Sequence, residues 1–121
     1  MKGPLNDETR IRHVLDAIAE IESYLVGVSL DNFLSSSEKR FATIKQIEII
    51  GEACNRVSES FKQLYPEVEW KPIVAFRNIS IHEYFGINFQ IVWEIAQFDL
   101  PVLKKQFSEI AENFGNKESA N

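Results

Sequence analysis

With 121 residues, 45% of them hydrophobic and 26% charged, the chain has the size and composition of a single globular domain. Its formal net charge of -5 argues against bulk attraction to nucleic acid, so any phosphate-binding surface has to be small and local. The single cysteine excludes an internal disulfide, and with only 2 histidines the sequence offers no Cys/His set for a zinc site. No cofactor is expected. The sequence shows no signal peptide and no membrane-spanning segment, which predicts a cytoplasmic protein without a membrane partner.

The first predicted element is an amphipathic helix over residues 6–26. Apolar residues recur there at steps of three and four positions, from Ile11 to Leu25, as one buried helix face requires. Asn6 or Asp7 is the expected N-cap, and Gly27 is the expected stop. A short helical turn is predicted to follow at residues 31–34.

A long second helix is predicted from the sequence Ser35-x-x-Glu38, which has the form of a capping box. It is expected to end before Pro66, because the residue before a proline is disfavoured in helical geometry. Its inward stripe is predicted to comprise Ile44, Ile47, Gly51, Cys54 and Phe61.

Two further helices complete the prediction. A short third helix over residues 70–82 has Pro72 in its first turn, and Gly86 with Asn88 marks a break. The fourth covers residues 88–114 with a kink at Pro101, followed by a frayed tail at 115–121. No strand pattern is present, so the chain is predicted to be one all-α domain over residues 1–121, an up-and-down bundle of four main helices with an extra short helix possible.

The stretch Arg77 to Tyr84 is unusual because a charged residue falls on an apolar stripe. At 100° per residue, Arg77 lies among the side chains of Trp70, Ile73, Val74, Ile81 and Tyr84. A buried charge without a partner would cost several kcal/mol. Two explanations stay open: an ion pair with Glu48 or Glu52 of the long helix, or a cleft or two-fold interface where the guanidinium meets a phosphate.

Several other polar and aromatic residues are candidates for a functional or a structural role. Asn78 and His82 are four positions apart, so they share one helix face within reach of a group bound at Arg77. His13 projects away from the apolar stripe of its helix and is interpreted as a surface residue. Cys54 is interpreted as core packing. The aromatic residues Phe89, Trp93 and Phe107 are interpreted as packing groups rather than base-stacking platforms.

The pattern R-x4-H-x-Y formed by Arg77, His82 and Tyr84, with Asn78 after the arginine, resembles the motif of HepT-like proteins in the HEPN superfamily. Agreement extends over about residues 10–107. It includes Ile50-Gly51-Glu52-Ala53, Trp70, Tyr84-Phe85-Gly86-Ile87 and Val92-Trp93.

This resemblance implies an all-helical, metal-independent endoribonuclease toxin of a toxin-antitoxin system, with tRNA or mRNA as its RNA substrate. Its implied partner is a minimal nucleotidyltransferase antitoxin that neutralises the toxin by transferring AMP to the motif tyrosine. Carried over to this sequence, Arg77 and His82 are catalytic, Asn78 supports them and Tyr84 is the modified residue.

A homodimer is also expected, because one chain supplies one suitable histidine whereas two copies of the third helix would supply a pair. Two alternatives remain. The first is a catalytically inactive HEPN domain that binds nucleotides or serves as a scaffold. The second is a helical interaction module in which Arg77 pairs internally with Glu48 or Glu52.

Overall fold

The computed structural model of the chain describes residues 4–79 and 89–120. These residues contain helices and no strand, which confirms the all-α prediction. The helices in chain order are α1 (Pro4–Leu25), α2 (Leu30–Ser35), α3 (Ser37–Arg56), α4 (Glu59–Leu64), α5 (Trp70–Ala75), α6 (Phe89–Glu94) and α7 (Leu100–Ala120). A 3-10 turn at Phe76–Asn78 follows α5, and a π-helical turn at Ile95–Asp99 joins α6 to α7.

The core lies between the three long helices. α1 packs against both α3 and α7, and each of the three contributes its apolar stripe. Complete burial of an aliphatic or aromatic side chain stabilises the fold by about 1.5–3 kcal/mol. Among the largest fully buried side chains are Phe33, Phe107, Ile11, Ile18, Ile47 and Ile50.

The two ends of α1 show which local predictions are correct. The helix ends at Leu25, and Gly27 adopts a φ of 71°, as the predicted glycine stop requires. The helix begins at Pro4, so the predicted cap at Asn6 or Asp7 is wrong. Asp7 has a tertiary role instead: its buried carboxylate accepts hydrogen bonds from the Ser58 backbone N–H at 2.9 Å and from the Ser58 hydroxyl at 2.8 Å.

The second predicted helix is two helices in the structure. The N-cap of α3 is Ser36, whose Oγ accepts the Lys39 backbone N–H at 3.2 Å. The predicted capping box at Ser35 and Glu38 is therefore wrong, because Ser35 ends α2 and Lys39 occupies the position where a box needs Glu or Gln. α3 ends at Arg56, because Val57 and Ser58 are extended and Ser58 caps the separate helix α4. The predicted inward stripe is nevertheless buried throughout, including Phe61 on α4.

Proline at position 101 shapes the last part of the chain. Its nitrogen carries no hydrogen, and its ring crowds the carbonyl one turn earlier. The chain widens into the π-helical turn directly before it, where the Leu100 N–H donates to the Ile95 carbonyl. The predicted disturbance therefore takes the form of a π turn, and α7 continues to Ala120, into the segment for which a tail is predicted. None of the described helices is long and apolar enough to cross a bilayer.

Candidate functional site

The 3-10 turn that carries Arg77 packs directly on α3 at Gly51. A Cβ atom at Gly51 would lie 2.8 Å from the Phe76 carbonyl carbon, 3.0 Å from the Arg77 Cα, and closer still to the Arg77 backbone nitrogen. Such contacts are too short for any side chain, so only glycine permits this approach. Gly51 therefore fixes how close the Arg77 backbone comes to α3.

The Arg77 side chain is exposed, which corrects the prediction that it lies on the apolar stripe. Arg77 lies in a 3-10 turn, which advances 120° per residue, and not in the continuous α-helix of 100° per residue that the prediction assumed. Ile73 and Ile79 are buried in the core, whereas the Arg77 side chain is exposed.

Arg77 faces a shallow groove on α3. The groove has a volume of about 280 Å³ and is lined by Lys45, Glu48, Ile49, Glu52 and Arg77. No described acidic residue forms an ion pair with Arg77, and Glu52 pairs with Arg56 at 3.1 Å. Within the described residues the internal ion pair is therefore not formed, and the guanidinium is accessible to a ligand.

The remaining motif residues divide into two groups. Asn78 follows Arg77 at the end of the 3-10 turn, and its side chain is exposed as well. His82 and Tyr84 lie outside the described residues.

The residues interpreted as structural behave as such. His13 is exposed on α1. Cys54 is fully buried, and burial raises the pKa of its thiol to about 12 although the positive charge of Lys62 opposes the shift. The thiol is therefore protonated at neutral pH and is a poor nucleophile.

The aromatic residues pack as predicted. Phe107 is fully buried, and the Trp93 ring packs on Phe33 with the ring centroids 5.3 Å apart. Phe89 contacts Phe41 at a centroid distance of 6.5 Å, and the Arg40 guanidinium lies 4.5 Å from the Phe89 centroid. The rings of Phe89, Trp93 and Phe107 therefore serve in packing within the protein.

Sequence reasoning missed the contact between Gly51 and Arg77, although it placed Gly51 on the buried stripe. A signal was present, because glycine inside a helix costs about 1 kcal/mol relative to alanine and so suggests a close backbone approach. Across the part of the chain that the structure describes, no group of three or more His, Cys, Asp or Glu is arranged to hold a metal ion.

Comparison with known proteins agrees with the motif. The family "Ribonuclease HepT-like" matches residues 14–110. A protein of Thermococcus cleftensis named probable ribonuclease HepT is 33% identical over 100 residues, which are 83% of this chain and 91% of the relative. A candidate RNase of Methanocaldococcus jannaschii is 34% identical over 93 residues, covering 77% of this chain and 85% of the relative.

A candidate RNase of Caldanaerobacter subterraneus subsp. tengcongensis is also 34% identical, over 100 residues that make up 83% of this chain and 89% of that protein. No solved structure gives a significant match. Because the family match covers most of the chain and these relatives align over most of their own length, the chain belongs to the HepT-like ribonuclease family.

Proposed function

We propose that this protein is a metal-independent endoribonuclease that acts on cytoplasmic RNA as the toxin of a toxin-antitoxin system. The observation that carries the proposal is the exposed guanidinium of Arg77, which has no acidic partner among the described residues. The backbone of the same residue packs closely against Gly51. The family membership and the names of the relatives support RNA as the substrate class.

The proposed chemistry uses a nucleophile that RNA itself contains. A base removes the proton of a 2′-hydroxyl, whose oxygen attacks the adjacent phosphorus. The bond to the 5′-oxygen breaks, and an acid protonates that oxygen, which leaves a 2′,3′-cyclic phosphate and a 5′-hydroxyl. Histidine suits both proton transfers near neutral pH, so His82 is assigned to them. Arg77 stabilises the negative charge that develops on the phosphoryl oxygens, with Asn78 as a neighbouring support.

A homodimer is proposed to complete this site. In one chain the groove at Arg77 combines the cations Lys45 and Arg77 with the carboxylates of Glu48 and Glu52, so its local charge is close to balanced. A second copy related by two-fold symmetry would add another guanidinium and another imidazole. The pair of His82 side chains would then supply both an acid and a base.

Control by a minimal nucleotidyltransferase antitoxin is proposed through Tyr84. The enzyme would transfer AMP from ATP to the phenolic oxygen and release pyrophosphate. The attached AMP carries a phosphate that would compete with the RNA backbone for the Arg77 guanidinium. Mass spectrometry after incubation with such an enzyme and ATP tests this step. AMP found on another residue, with activity abolished, would contradict the assignment of Tyr84.

Cleavage in the presence of a chelator tests the function itself. The proposal expects cleavage of an RNA oligonucleotide in excess EDTA, a 2′,3′-cyclic phosphate on the product, and no cleavage when the 2′-hydroxyl at the cut site is replaced by hydrogen. A folded protein that binds nucleotides but cuts no RNA would support the inactive HEPN domain instead.

A further inference from the structure

A second groove lies between α1 and α3. It has a volume of about 240 Å³ and is lined by Arg10, His13, Ile49, Glu52, Ala53 and Arg56. We call it the α1–α3 groove. Ile49 and Glu52 also line the groove at Arg77, so the two grooves share a wall and form one continuous surface across α3.

The combined surface differs in charge from the protein as a whole. It carries the four permanent cations Arg10, Lys45, Arg56 and Arg77 against the two carboxylates of Glu48 and Glu52, whereas the chain has a net charge of -5. A local excess of cations attracts polyanions to this surface, whereas the remaining acidic surface of the protein repels them.

The length of the surface suits a strand rather than a single phosphate. Lys45 and Arg56, at its two ends on α3, are separated by roughly 16 Å along the helix axis, at the usual rise of 1.5 Å per residue. Between them Ile49 is 37% exposed and offers an apolar surface that a ribose or a base can cover. A positively charged groove that follows the backbone is typical of sites that bind single strands without reading their sequence.

We propose that the α1–α3 groove is an RNA-backbone subsite, in which Arg10 and Arg56 bind phosphates of the same strand whose scissile phosphate lies at Arg77. The inference rests on the proposed function and adds the path that the RNA strand takes across α3. Arg56 is paired with Glu52 at 3.1 Å, but both side chains are about half exposed, and an exposed pair of this kind contributes little stability. A phosphate can therefore replace Glu52 as the partner of Arg56.

Binding of an uncleavable RNA tests the subsite apart from catalysis. The probe is a fluorescent 12-nucleotide 2′-O-methyl RNA, and the variant is Arg10→Glu with Arg56→Glu. The affinity is expected to fall at least about tenfold, and the slope of log K against log salt by about 0.7 for each phosphate that the variant no longer binds. The decrease should be smaller for a 3-nucleotide probe, which fits at Arg77 alone. A milder pair, Arg10→Gln with Arg56→Gln, covers the case in which the charge reversal disturbs folding.

The matched control is Lys104→Glu with Lys105→Glu on α7. It changes the net charge equally and also breaks one exposed ion pair, between Lys104 and Glu22 at 3.0 Å. A decrease in affinity for the Arg10 and Arg56 variant, together with unchanged affinity in the control, supports the subsite. An equal decrease in both variants overturns it. Unchanged affinity in both the Glu and the Gln variants, for a wild-type protein that binds and cuts RNA, overturns the subsite and leaves the proposed function intact. A wild-type protein that neither binds nor cuts RNA overturns both.

Discussion

Gly51 of α3 lies directly against the backbone of Arg77, where an added Cβ would come within 3.0 Å of the Arg77 Cα. The position of the guanidinium thus depends on a residue without a side chain, one helix away. The role proposed for Arg77 is therefore expected to be sensitive to substitution of Gly51.

Gly51→Ala is expected to lower RNA cleavage and to destabilise the fold by about 1–3 kcal/mol, because the new methyl group has to displace backbone rather than a side chain. The Arg77 amide signal should move in an NMR spectrum of the variant. Gly115→Ala is the matched control, since nothing lies within 4 Å of a Cβ at Gly115. It should be neutral or stabilising by up to about 1 kcal/mol through helix propensity.

A double-mutant cycle separates positioning from general damage. If Gly51 acts through Arg77, Gly51→Ala should reduce cleavage much less in a protein that already carries Arg77→Ala. An equal reduction in both backgrounds would show that Gly51 supports the fold without positioning Arg77.

Asp7→Ala is expected to destabilise the protein by about 1.5–3 kcal/mol in chemical denaturation, because it removes a buried carboxylate that joins α1 to the start of α4. Asp16→Ala, at an exposed position of α1, serves as the control and should change stability by less than about 0.5 kcal/mol. If the two variants were equally stable, the link between Asp7 and Ser58 would contribute nothing.

Asp99 predicts a pH dependence of stability. Partial burial, together with the negative charges of Glu69 and Glu94, raises the pKa of its carboxyl above the ordinary value of 3.8. The folded state therefore holds the proton more tightly than the unfolded state, so ionisation of Asp99 lowers stability as pH rises through the folded pKa. Asp99→Asn should be more stable than the wild type at neutral pH, and the difference should vanish below pH 3.8. A constant difference across this range would contradict the assignment.

Cys54 should resist alkylation in the folded protein, since its thiol is buried and its pKa is raised to about 12. Iodoacetamide at pH 8 is expected to label it only on unfolding in denaturant, as followed by intact mass. Rapid labelling of the native protein would show that this part of the core opens readily.

The sequence predicts the helices best where one periodic stripe decides them. In α1 the spacing of apolar residues and Gly27 suffice, because both act within a few residues. The consecutive serines at positions 35 and 36 are nearly equivalent as N-cap residues in the sequence. Ser36 is the cap of α3 in the structure, because Ser35 is the last residue of α2. The end of α3 at Arg56 has no proline or glycine to mark it, and it depends on the tertiary link between Ser58 and Asp7.

The sequence suggested which residues form the candidate site, but it did not indicate their geometry. The residue types of the motif singled out Arg77 and Asn78, and both side chains are exposed in the structure. The prediction used a constant 100° wheel, whereas Phe76–Asn78 form a 3-10 turn, and the wheel did not indicate that the Arg77 side chain is exposed. The approach of Gly51 joins residues far apart in sequence, so local patterns could only hint at it.

Single-turnover cleavage of RNA in EDTA by Arg77→Ala tests the central claim most directly. Arg12→Ala is its control, since Arg12 is an exposed arginine that pairs with Glu8 at 2.8 Å. Arg77→Ala is expected to retain its helical circular dichroism and to cut RNA roughly 10²–10³-fold more slowly, as is typical when a donor to developing negative charge is removed. A folded Arg77→Ala protein that cleaves RNA at the wild-type rate would contradict the proposed role of the guanidinium.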